Sequence, residues 1–120
     1  MGMFNTIHAD LACVVTGKAL PRTEIQIKWQ EHKYLDLGAY NVGDTLEGLQ
    51  SEFDNTWIKT EFICDACSRH EIGWKGKPFI PTAGQVWHPV YIEMREGRIC
   101  RILNEAEFAA TGIKEFVTYW

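Results

Sequence analysis

The chain has 120 residues, 46% of them hydrophobic and 23% charged, and a formal net charge of −4. This balance excludes a disordered polymer, which buries too little apolar surface to offset chain entropy. No window approaches the roughly 18 uninterrupted apolar residues of a membrane-spanning helix. Residues 1–120 are the size of one domain and are read as one, with five Trp, six Phe and four Tyr to fill its interior. The twelve Lys and Arg are scattered. A nucleic-acid binder normally shows a basic stripe that displaces counterions, so the composition argues against that partner. The opening segment MGMFNTIHADLACVV lacks the basic stretch and long apolar run of a secretory signal, so a cytoplasmic protein is expected. In that compartment four cysteines point to metal binding or free thiols before disulfides.

In chain order, the first clear element is residues 23–29, where Ile25, Ile27 and Trp29 alternate with Glu24, Gln26 and Lys28. That is the period of a half-buried strand. A second strand is expected over 34–40, closed by a turn at Val42-Gly43-Asp44, and a third over 56–63, running into Cys64. Residues 68–85 hold Gly73, Gly76, Pro78, Pro81 and Gly84 and are expected to form an irregular loop. Beyond it, Val90, Ile92 and Met94 alternate with Tyr91, Glu93 and Arg95. Glu96-Gly97 then turns the chain into 98–103. A two-residue turn pairs Arg95 with Arg98, Met94 with Ile99 and Ile92 with Arg101. This register places Val90, Ile92, Met94, Ile99 and Leu103 on one face. Asn104 with Glu107 three residues on is a capping-box pattern for a short helix, and Gly112 is placed to end it. The fold class is therefore mainly β (α+β): antiparallel strands and hairpins with one short C-terminal helix.

The chemically distinctive unit is Cys64-Asp65-Ala66-Cys67 at the end of a strand. Two intervening residues let both thiolates face one centre from a tight turn. A tetrahedral zinc site needs two further N or S ligands, and Cys13 is the first candidate. Cys13 and Gly17 stand in the frame of a Cys-Pro-x-Cys-Gly knuckle, and here the sequence resembles a zinc ribbon. It is also loosely similar to small uncharacterised bacterial ribbon-like proteins. In those, a first knuckle leads to an EIQ-K strand and a Y-x-x-GD turn before the second Cys-x-x-Cys. Glu24-Ile25-Gln26-Ile27-Lys28 and Tyr40-Asn41-Val42-Gly43-Asp44 stand in those places. The resemblance spans residues 7–70 and implies a ribbon-like knuckle, with zinc as a structural cofactor. It departs where Val14 replaces proline and Thr16 replaces the second cysteine of the first knuckle.

Three routes lead on from there. His70, three residues past Cys67, completes a Cys13, Cys64, Cys67 and His70 set. His8 or Cys100 could instead fold in from elsewhere. In the third route the metal has been lost and Cys64 and Cys67 are small buried hydrophobes. A redox dithiol is a further use of Cys64 and Cys67. The segment Ser68-Arg69-His70-Glu71-Ile72-Gly73 is too short before its glycine for the helix that activates a thioredoxin-like thiol, although Arg69 and His70 could favour a thiolate. His8, His32 and His88 read individually as surface or satisfied core residues, and His88 before Pro89 suggests a turn. Trp29 and Trp57 are expected in the core, and Trp74 and Trp87 at an interface. Glu93, Glu96, Glu105 and Glu107 read as solvated faces and a cap, and no phosphate loop, nucleophile elbow or His-Glu-x-x-His helix is present. The expectation is a non-enzymatic binding module for a protein partner, stabilised by zinc. The alternatives are a thiol-dependent redox enzyme using Cys64 and Cys67, or a nucleic-acid-binding ribbon.

Overall fold

The computed structural model describes residues 5–27, 39–46, 49–64, 66–67, 71–72, 78–79 and 86–119. Two sheets built from alternating sequences face one another. In β1 (Asn5–Ala12), Ile7, Ala9 and Leu11 are buried, while Asp10 between them is exposed. β1 pairs antiparallel with β2 (Ala19–Ile27) and parallel with the short β3 (Ala39–Asn41), giving the order β2-β1-β3. Ile25 and Ile27 of β2 are fully buried, as their alternation predicts. The same period-2 alternation runs through β1, at Ile7, Ala9 and Leu11.

The second sheet has the order β8-β7-β4-β9, from β4 (Trp57–Ile63), β7 (Trp87–Arg95), β8 (Arg98–Asn104) and β9 (Val117–Thr118). β9 pairs parallel with β4, and the other pairings are antiparallel. Its inner face contributes Ile58, Phe62, Val90, Ile92, Met94 and Ile99 to the same core as Ile7, Leu11, Ile25 and Ile27. The expected strand over 56–63 is therefore β4, and the turn at Val42-Gly43-Asp44 is present, with Asp44 N–H donating to the Asn41 carbonyl. Only 39–40 of the second expected strand fall among the described residues, as part of β3. Trp29, His32 and Trp74 lie outside them. Within 68–85, expected to be irregular, β5 (Glu71–Ile72) and β6 (Pro78–Phe79) pair antiparallel. Pro78 itself sits in that short ladder, opposite Ile72.

The β7–β8 hairpin corrects the expected register. Arg95 opposes Arg98 and Met94 opposes Ile99, as the Glu96-Gly97 turn dictates. Gly97 has φ +73°, which favours glycine, and a Cβ there would crowd the Leu46 carbonyl oxygen at 3.3 Å. The ladder then shifts: Arg101 opposes Glu93 and Ile102 opposes Ile92. One extra residue on β8 bends the strand and exchanges its faces. Without that bulge Arg101 would enter the apolar core opposite Ile92, where an unpaired cation is costly. With it, Arg101 Nε donates to Glu93 Oε1 at 2.9 Å and its guanidinium lies 5.0 Å from the Trp57 ring. Arg101 and Arg95 hold the Glu93 carboxyl below the usual carboxylate range, the hydrogen bond from Arg101 being the largest cause. Leu103 consequently leaves the main core and packs on the outer face of the sheet.

That outer face is covered by α1 (Glu105–Thr111). Phe108 stacks on Tyr91 at 3.9 Å and meets Trp57 edge-on at 5.1 Å, so both faces of β7 are buried between Val90 and Met94. The helix begins with the expected capping box: Asn104 accepts from Glu107 N–H, and Glu107 accepts from Asn104 N–H. It ends at Gly112. Asn104 is buried, and its Nδ2 also donates to the Ala12 carbonyl at 3.1 Å, tying the helix start to the first sheet. Asn104→Ala should cost about 2–4 kcal/mol in chemical denaturation, from a lost cap plus a lost buried hydrogen bond. Asn104→Asp keeps the cap but offers no donor to Ala12, and should fall between the two. Among the described residues no helix is long and apolar enough to cross a membrane.

Candidate metal centre

Three separated pieces of chain converge where the two sheets meet. The first is the loop between β1 and β2. Cys13 N–H donates to the Lys18 carbonyl and Gly17 N–H to the Cys13 carbonyl, closing a narrow loop that Gly17 enters with φ +74°. Inside it, Thr16 N–H points at Cys13 Sγ, 3.4 Å away. The second piece leaves β4: Cys64 N–H donates to the Val86 carbonyl and Cys67 N–H to the Cys64 carbonyl, so the Cys-x-x-Cys segment forms a turn. The third is the start of β7. Phe62 of β4 lies directly opposite His88, their rings 6.0 Å apart. Residues two apart on a strand share a face, so Cys64 stands on the side of Phe62 and diagonally across from His88.

The result is a cluster of Cys13, Cys64, Cys67 and His88 whose ligand atoms all lie within 4.8 Å of one another. Cys13 Sγ and Cys67 Sγ are 3.4 Å apart, and His88 Nε2 is 3.4 Å from Cys67 Sγ. A zinc ion 2.3 Å from each sulfur would set tetrahedral sulfurs about 3.8 Å apart, so the cluster is close to the size such an ion needs. Cys13 and Cys64 are buried, while Cys67 and His88 are half-buried. These four residues could bind a metal.

The sulfurs are electrostatically unequal. Hydrogen bonds from the Thr16 hydroxyl and backbone, with a smaller one from Cys67, hold the Cys13 thiol down to about 5. Cys67 is pushed up to about 12 by the hydrogen bond it shares with Cys13, by burial and by nearby Cys64. The hydrogen bond between the two sulfurs couples the pair and adds to this split. Ionising every sulfur at such short range is unfavourable without a cation between them, because like charges raise one another's pKa. A divalent ion removes that conflict and requires the deprotonated forms.

Of the ligands expected from sequence, Cys13, Cys64 and Cys67 come together. His70 lies outside the described residues. Among the described residues neither His8 nor Cys100 joins the cluster, and the histidine that does is His88, which sequence alone suggested for a turn. The missing signal was strand register: pairing Ile58 with Ile92 places Phe62 opposite His88, and hence His88 beside Cys64. Thr16, in the place of a second knuckle cysteine, contributes a backbone N–H to the Cys13 sulfur instead of a ligand.

A cleft of about 850 Å³ opens beside the centre, lined by Lys18, Leu20, Arg22, Glu24, Glu61 and Trp87 among others. Trp87 is 50% exposed. In comparisons with protein-family models, with curated proteins and with solved structures, the chain matches none.

Proposed function

We propose that this chain is a small non-enzymatic binding module whose two sheets are clamped by a structural zinc ion on Cys13, Cys64, Cys67 and His88. The observation that carries the reading is the convergence of three thiols and one imidazole within 4.8 Å. Three sulfurs and one nitrogen form a closed set typical of structural zinc, with no position left for a substrate. The clamp joins the β1–β2 loop to the end of β4 and the start of β7, so the ion acts on the relative position of the two sheets. The cleft beside it, with Trp87 at its wall and both signs of charge along it, supports binding of a protein partner. The net charge of −4 favours such a partner over nucleic acid.

Elemental mass spectrometry on protein purified without added metal tests the reading. One zinc per chain is expected, lost in His88→Ala and retained in His70→Ala. A metal-free protein that stays fully folded overturns the clamp. Zinc that departs with His70 and not with His88 overturns the ligand set.

A further inference from the structure

The cluster contains an asymmetry that zinc binding alone does not use. Cys67 is half-buried, Cys64 is fully buried and Cys13 is 2% exposed, so Cys67 is the cysteine of the cluster most open to a small oxidant arriving from solvent. The Cys13 sulfur lies 3.4 Å from that of Cys67, though 54 residues away in sequence. Closing that gap to the roughly 2.05 Å of a disulfide requires a small approach of two loop segments and no movement of a strand. We propose that this pair is a peroxide-sensitive modification site: oxidation joins Cys13 to Cys67 and expels the ion from the centre.

The chemistry balances with hydrogen peroxide as the only co-reactant. With the ion bound both sulfurs are thiolates, and the Cys67 thiolate attacks one peroxide oxygen as the O–O bond breaks. Cys67 becomes a sulfenic acid, and the departing hydroxide takes a proton to form water. The Cys13 thiolate then attacks the Cys67 sulfur. The S–S bond forms, the S–O bond breaks, and a second hydroxide leaves as water with another proton. Two sulfurs have together lost two electrons, and two peroxide oxygens have gained them. A disulfide supplies no thiolate ligands, so the ion keeps only Cys64 and His88 of its protein ligands and leaves. The new bond joins the β1–β2 loop to the turn after β4, one of the connections the ion makes, while β7 stays paired with β4 through their ladder, so the fold survives the exchange. Oxidation thus replaces an ionic clamp with a covalent one.

The ion in this proposal rests on the metal reading above, whereas the choice of sulfurs does not. The test uses the full chain as purified, in a Cys100→Ser background that removes the thiol on β8 and with it bridging between molecules through that residue. Zinc is measured first. Peroxide is then added in equimolar steps, zinc release is followed with a chromogenic chelator, and disulfides are mapped by peptide mass spectrometry. One zinc should be released for each bridge joining the Cys13 and Cys67 peptides, far-UV circular dichroism should be retained, and thiol reductant with zinc should restore the starting state. A Cys64–Cys67 bridge, oxidation that runs on to sulfinic acid, or zinc held while the thiols resist peroxide would each overturn the proposal. A protein found metal-free at the first step overturns the zinc reading instead. The disulfide map on that same sample still decides whether Cys13 and Cys67 are the pair.

Discussion

Cys64→Ser is expected to weaken zinc binding about a hundredfold and to cost the zinc-loaded protein on the order of 3 kcal/mol, a quarter share of the energy typical of structural zinc. Cys64 is fully buried and adjoins both Cys67, through their shared turn, and His88, across the β4–β7 ladder. A serine hydroxyl occupies nearly the same volume but is a poor zinc ligand, so the change separates coordination from packing. Denaturation with excess zinc and with a chelator distinguishes the two roles. If Cys64 is a ligand, the variant should lose most with zinc present and much less once both proteins are stripped. Equal losses under both conditions would make the sulfur a packing residue only.

Phe62→Ala should have the largest effect outside the ligands, about 3–5 kcal/mol, because it empties a ring-sized volume in the core. Phe62 is 2% exposed and belongs to the cluster joining the two sheets, while its edge-on contact with His88 supports the imidazole from behind. Stability should fall in urea, and zinc affinity should fall with it, since an unsupported ring samples more orientations. Phe62→Leu, which refills part of the space, should recover a large share of both. A loss of stability with zinc affinity unchanged would show that the ring supports the core and leaves the ligand alone.

Local signals in the sequence located the pieces of this molecule, and long-range register decided how they meet. The capping box at Asn104 and the turn at Glu96-Gly97 are fixed by neighbours within four residues, and both stand as expected. The bulge in β8 was not legible from alternation, because its cause is the partner strand: only with Glu93 and Trp57 alongside does Arg101 have somewhere better to go than the core. Leu103 changed faces for that reason. The same limit governed the centre. Cys64 and Cys67 were visible as a pair because their spacing is local, and Cys13 through its place in a knuckle frame. His88 was invisible because its proximity to Cys64 depends on how β4 and β7 pair across residues 64–86.

The wide separation of the ligands along the chain also has a kinetic consequence. Cys13 and Cys67 are 54 positions apart, and Cys67 and His88 are 21 apart. Of the four residues of the cluster, only Cys64 and Cys67 are near enough in the unfolded chain to grip an ion together. Bringing Cys13 to them means closing a loop whose length-dependent entropy is about 3–4 kcal/mol. Complete coordination of the proposed site would therefore come only after the β1–β2 hairpin has docked on the β4–β7 ladder, late in folding. An interaction formed after the transition state slows unfolding and leaves the folding rate almost unchanged. Zinc bound as proposed would act as a latch that lengthens the lifetime of the native state, with the unfolding arm of the kinetics moving when metal is supplied and the refolding arm staying in place.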